Sequence, residues 1–181
     1  MGILIKARNL YSGLAQRANI LQPFALLFVR ITAAYVFFKS GLTKWNGFLS
    51  FNPDKYDLFM YEFFCPEEPR AGALVLCKDV AEGTYAPTTQ WIVERFANLA
   101  GVMEIILPIL LVLGLVSRLS AFGLLAMTMF IQIFVFPEWG VWWGSHIWWA
   151  ATLLAIVAIG PGRFSLDHYL GLDKAQSLSK A

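Results

Sequence analysis

The stretch Leu99-Ala-Gly-Val-Met-Glu-Ile-Ile-Leu-Pro-Ile-Leu-Leu-Val-Leu-Gly-Leu-Val116 decides how the rest of the chain is read. It approaches the ~20 residues that an α-helix needs to cross a bilayer core, and Glu104 is its only ionisable residue. An acidic residue at the centre of such a helix costs roughly 2.5–3.5 kcal/mol on insertion scales, so its carboxyl is expected to face protein or water and to have a partner. Pro108, one turn on, has no amide proton and leaves the Glu104 carbonyl without its helical donor. A polar side chain and an interrupted backbone bond at one level of a membrane helix mark a candidate site.

Composition agrees with a membrane setting. The chain has 181 residues, 58% of them apolar and 14% charged, with a mean hydropathy of +0.60. That balance belongs to integral membrane proteins rather than soluble domains. A dispersed net charge of +2 argues against a nucleic-acid partner. Cys65 and Cys77 are too few for a disulfide scaffold and lack a zinc-ligand pattern.

Outward from the opening stretch, the periodicity predicts an all-α, four-transmembrane-helix bundle forming a single domain over 1–181. Residues 1–22 read as a short basic amphipathic helix lying at the membrane interface, with Leu10, Leu14, Ala18 and Leu21 on its apolar stripe. The first crossing runs from Pro23 to about Leu42. A long acidic loop occupies 43–90, with turn signals at Asn52-Pro53, Glu68-Pro69 and Ala86-Pro87; within it, Lys55 to Phe64 could form a helix capping the bundle. Trp91 to Val116 is the second crossing, Ser117-Arg118 a tight connection, Leu119 to Phe136 the third crossing and Trp142 to Gly160 the fourth. Gly160-Pro161-Gly162 stops the last helix, leaving a polar tail over 161–181.

Lys6, Arg8, Arg17, Arg118, Arg163, Lys174 and Lys180 fall on one side of this arrangement, and the acidic loop falls on the other. The positive-inside rule then places both termini in the cytoplasm and 43–90 outside. All seven tryptophans (Trp45, Trp91, Trp139, Trp142, Trp143, Trp148 and Trp149) lie at the outer ends of the crossings. They read either as an outer-leaflet anchor or as the wall of an outward pocket suited to a flat ring such as a quinone.

At ~1.5 Å per helical residue, Glu104 lies ~18 Å from Val116, Gln132 ~20 Å from Leu119, His146 ~21 Å from Gly160 and Lys39 ~24 Å from Pro23. One polar side chain from each crossing thus shares a layer below the outer interface. On the first crossing Arg30, Phe37, Gly41 and Lys44 align, whereas Lys39 points the other way and also reads as a snorkelling anchor. Glu104 is either a hydrogen-bonded structural carboxyl or a proton-handling group, and His146 either a proton shuttle or a satisfied interfacial histidine. Arg30 reads as an anchor bridging Asp167 or backbone carbonyls. Cys65 and Cys77, in an exported loop, form either a structural disulfide or a pair exchanging with a thiol substrate. His146 and His168 fall on opposite faces, so no haem is expected between them, and no metal site is expected either. Gly-rich phosphate loops and nucleophile elbows are lacking.

Several motifs occur in a fixed order. Leu27-Phe-Val-Arg30 and Lys39-Ser-Gly41-Leu-Thr-Lys44 are followed by Glu104, Leu113-Gly114-Leu-Val-Ser-Arg118-Leu-Ser-Ala121 and Gly160-Pro161-Gly162-Arg163-Phe164-Ser165-Leu166-Asp167. This set resembles the DoxX family of bacterial inner-membrane proteins, over roughly Leu26 to Leu170. The long cysteine-bearing loop departs from the minimal family pattern. The resemblance implies four transmembrane helices in a bacterial inner membrane and, more loosely, redox association. Relatives include a subunit of a thiosulfate:quinone oxidoreductase, a partner in a thiol and oxidative-stress complex, and proteins linked to maturation of exported metal-binding peptides. The family has no agreed catalytic residues; Arg30, Gly114, Arg118, Gly162, Arg163 and Asp167 read as topology signals and a salt-bridge cluster.

The leading functional expectation is a redox subunit passing electrons from an exported sulfur or thiol donor to quinone. Glu104 and His146 would handle protons, with Gln132, Lys39, Lys44, Trp142 and Trp149 around the quinone. The alternative is a scaffold or accessory subunit that binds protein partners in a membrane redox or peptide-maturation complex. A small-solute transporter is a third reading.

Overall fold

The computed structural model describes residues 2–48, 50–68, 71–72, 75, 77 and 86–173. Asp79, Glu82, Lys174, Lys180 and the proline of the Glu68-Pro69 turn lie outside the described residues. Among those described, four helical runs are long and apolar enough to cross a membrane: Leu4–Leu42, Pro87–Leu113, Ser117–Val135 and Trp139–Ile159. The four-helix bundle read from the sequence is therefore the fold.

The first run is a tandem of α1 (Gly2–Ala18), one 3-10 turn (Asn19–Leu21) and α2 (Gln22–Leu42). At 1.5 Å per residue its 39 residues extend about 58 Å, roughly twice a hydrocarbon core. Only a segment of α2's length fits inside, and α1 is exposed along nearly its whole surface. Pro23, whose missing amide costs nothing in a first turn, opens α2.

Between α2 and the second crossing, Trp45–Gly47 (β1) and Ser50–Phe51 (β2) form a small antiparallel hairpin. Asn52 caps α3 (Pro53–Asp57) by accepting from the Asp54 amide at 3.1 Å. A π-helical segment, Leu58–Phe64, continues α3 and ends at Cys65. The sequence does carry Asn46-Gly47, a hairpin-turn pair, but it lies within β1 and not between two alternating runs, so the pattern does not announce this hairpin. Cys65 and Cys77 have Cα atoms 4.8 Å apart and sulfurs in bonding contact.

The second crossing is α4 (Pro87–Leu113) and the third is α5 (Ser117–Phe130), extended by a π-helical turn, Ile131–Val135. The fourth comprises α6 (Trp139–Val141), a π-helical turn Trp142–His146 and α7 (Ile147–Ile159); α8 (Leu166–Leu170) follows. The α4–α5 connection is Gly114 to Val116, so Ser117 and Arg118 open α5 instead of forming the turn. Gly114, at φ 72°, ends α4 in a Schellman motif: its amide bonds Leu111 O at 3.2 Å and the Leu115 amide bonds Leu110 O at 2.9 Å.

Apolar side chains face lipid all round the bundle, so tight backbone approach, not water exclusion, holds the helices together. A Cβ on Gly41 would lie 2.9 Å from Glu104 O. The α2 backbone thus nestles against the carbonyl that Pro108 deprives of its donor. The core is Ala33, Ala34 and Phe37 of α2, Leu111 of α4, Ala121 and Leu124 of α5, and Leu153 and Ile156 of α7.

At the end of the bundle holding the α4–α5 turn, polar side chains tie that turn to α8. The Asp167 carboxylate accepts from the amides of Val116 (2.7 Å) and Ser117 (2.8 Å), so it caps α5 from fifty residues away. Arg118 donates to the carbonyls of Val157, Ala158 and Ile159 at the end of α7 and pairs with Asp173 at 3.1 Å. The expected ion-pair cluster of Arg30, Arg118, Arg163 and Asp167 is corrected accordingly. Arg30, fully buried, donates to the Phe164 carbonyl, one of the two roles foreseen for it, with Asp167 as nearby countercharge. Arg163 is exposed and makes no ion pair among the described residues. Backbone carbonyls and amides at helix ends compete successfully for these charges, because each is itself an unpaired polar group.

Candidate functional site

The inward stripe of α4 consists of Val93, Ala97, Gly101, Glu104, Pro108 and Leu111, all buried. Opposite, α2 buries Arg30, Phe37 and Gly41, and one turn past Gly41 the same face carries Lys44. With glycine at 41 the helices come close enough for the two charges to meet. Lys44 Nζ lies 2.6 Å from Glu104 Oε2 and also donates to Ser40 Oγ at 3.2 Å. Glu104 is 4% exposed and Lys44 8%. The partner that Glu104 requires is therefore Lys44.

Both members of the pair line a cavity of about 490 Å³ between α2, α4, α5 and the π-helical segment after α3. Its walls are phenylalanines: Phe59, Phe63 and Phe64 from that segment, Phe96 from α4, Phe130 and Phe136 from the third crossing and its end. Phe96 and Phe130 stack at 6.2 Å, and Phe64 closes a triangle with them at 6.0 and 6.3 Å. Behind this wall lie Met60, Cys65 and Val93, with Cys77 packed against them. Lys55 adds a second, half-buried cation to the lining.

His146 and Gln132, in contrast, find each other. His146 Nδ1 is 2.6 Å from Gln132 Oε1, and both side chains are buried between the third and fourth crossings. The imidazole also packs on Trp149 at 4.9 Å, and Trp149 in turn meets Phe37. The polar layer thus resolves into two pairs, Lys44–Glu104 and Gln132–His146, with no hydrogen bond between them. Equal depth does not guarantee convergence, because helices α2 and α4 pair on one side of the bundle and α5 and α7 on the other.

The expected tryptophan wall is corrected. Neither Trp142 nor Trp149 lines the cavity, and Trp45 instead donates its indole N–H to Gly101 O at 3.3 Å. Trp139, Trp143 and Trp148 are largely exposed, at 74%, 64% and 66%, as interface anchors are. Lys39 is exposed and Gln132 is occupied by His146, so neither reaches the cavity. The sequence marks Lys55 to Phe64 as a segment that could cap the bundle, but not that Lys55, Phe59, Phe63 and Phe64 line the cavity, because a segment within a loop gives no facing information. Their aromatic density, Leu58-Phe-Met-Tyr-Glu-Phe-Phe64, was the available signal. Among the described residues, no group of three or more His, Cys, Asp or Glu side chains could hold a metal ion.

These features define a multi-pass membrane bundle with a buried charge pair in the wall of a largely apolar cavity. The chain belongs to the DoxX family, whose family model matches residues 25–137, through the first three crossings. The comparisons with curated proteins and with solved structures give no match.

Proposed function

We propose that this chain is a redox subunit of the bacterial inner membrane that holds quinone in the phenylalanine-walled cavity. Electrons would reach the quinone from an exported sulfur or thiol donor. The observation that carries this reading is the buried Lys44–Glu104 pair in the wall of a chamber lined mainly by apolar side chains. Phenylalanine faces accept a flat ring by offset or edge contact. Lys44 Nζ, held by Glu104 and Ser40, has a third N–H that would donate to a quinone carbonyl. Two-electron reduction takes up two protons, and a carboxyl beside an ammonium can relay them. Gln132 and His146 then buttress the third and fourth crossings, and the proton chemistry rests on Lys44 and Glu104.

The proposed orientation follows Lys and Arg near the helix ends: termini and the α4–α5 turn in the cytoplasm, the hairpin and the segment after it outside. The cysteine pair then faces an oxidising compartment, where it would be bonded. A second reading, an accessory scaffold, draws on α1, which leaves the bundle and is exposed.

Lipid extracts of purified protein decide between them. Quinone detected by mass spectrometry in the wild type, and lost in Lys44→Met and Glu104→Gln, supports the redox subunit. Protein free of quinone, unable to take it up on reconstitution, overturns that reading and leaves the scaffold.

A further inference from the structure

Leu107 of α4 and Gly123 of α5 touch so closely that a Cβ on Gly123 would lie 2.8 Å from Leu107 Cδ1. Away from the α4–α5 turn the two helices part. The residues beyond that contact, Leu99 and Met103 on one side and Ala126 and Phe130 on the other, line the cavity. Leu99 (52% exposed) and Ala126 lie at the same time on the outer surface. Around them the exposed side chains are apolar, Ile106 at 45% and Phe122 at 58% among them. In a bundle that spans a membrane this surface is the one in contact with hydrocarbon. An opening of the cavity between Leu99 and Ala126 would lead from this lipid-facing surface to the Lys44–Glu104 pair.

We propose that the ligand is a long-tailed amphiphile of the bilayer that enters sideways between α4 and α5, its oxygen-bearing ring seated at Lys44 and its hydrocarbon tail left in the lipid. This rests on the quinone-binding reading above and adds to it a route and a structural requirement, the tail. On the aqueous side the lining is a roof of Phe59, Phe63 and Phe64 bordered by Lys55 and Thr43, whereas between α4 and α5 Leu99, Met103, Ala126 and Phe130 are all apolar. The polar pair then acts as the stop that sets how deep the head travels.

The test is photo-crosslinking in phosphatidylcholine nanodiscs, using a ubiquinone with a diazirine on its isoprenoid tail. The expected result is labelling of Leu99, Ile106, Phe122 or Ala126 that unmodified ubiquinone competes away. Ala126→Trp, on the outer surface at the mouth, should reduce that labelling by about tenfold by overfilling the gap. A thermal unfolding midpoint near that of the wild type shows that the variant is folded. Competable labelling on the roof at Phe59 or Phe63, or labelling at the mouth untouched by Ala126→Trp, overturns the lateral route while leaving quinone binding in place. If no label is competed by ubiquinone anywhere, the quinone-binding reading itself falls, and the route with it.

Discussion

At the scale of single residues, the Lys44–Glu104 pair sets the strictest constraint. Removing one partner of a buried ion pair strands the other charge away from water, which typically costs about 3–5 kcal/mol, whereas replacing both by apolar groups of similar volume is often neutral. Lys44→Met and Glu104→Leu are each expected to lower the unfolding midpoint in detergent substantially. The double variant should recover most of that loss yet bind no quinone. Additive losses would show that the two side chains do not depend on each other. The sequence exposed half of this pair: Glu104 is conspicuous because a lone acid in an apolar span demands a partner. Lys44 was aligned with Gly41 and Phe37 on the inner stripe, but it sits at the end of a helix, where an ammonium can equally snorkel to water. Depth along each span sets Glu104, Gln132, His146 and Lys39 in one layer; depth carries no information about which helices are neighbours, and that missing fact separates Glu104 from His146.

Elements were easier to read, since four apolar runs separated by polar turns leave few alternatives. Their ends were harder, because several helices here are finished by residues distant in sequence. No local residue announces that Asp167 caps α5 or that Arg118 closes α7. The α4–α5 turn concentrates this dependence. Gly114 has φ 72°, and a Cβ there would collide with Arg30 Nη1 and with Ser165. Gly114→Ala must therefore either strain the turn or displace α8 and the buried guanidinium, a loss on the order of 2 kcal/mol or more. Gly140→Ala supplies the control, since a Cβ at Gly140 meets nothing within 4 Å. Equal midpoints for the two variants in thermal unfolding would mean that the turn does not bear on α8. The π-helical segments are another feature the pattern concealed: a single added residue per turn shifts which face the following side chains present, as happens between Val141 and His146.

For the whole molecule the open relation is that between the bundle and the two aqueous sides. An even number of crossings puts α1 and α8 on one side and the β1–β2 hairpin on the other, whichever way the protein is inserted. The basic residues of α1, Arg118 in the first turn of α5 and Arg163 select the proposed orientation by the charge bias of short segments. Phe48, 96% exposed beside the hairpin turn, and Ser12, exposed on α1, are suitable reporters because neither side chain packs against the bundle. In intact spheroplasts, a membrane-impermeant maleimide should label Phe48→Cys and leave Ser12→Cys unlabelled until the membrane is opened. The wild type serves as both blank and measurement. With Cys65 and Cys77 bonded it takes up no label without reductant, and it takes up label once reduced and unfolded. Labelling of Ser12→Cys in closed spheroplasts would invert the orientation and put the cysteine pair in a reducing compartment, where an exported thiol donor could not meet the cavity.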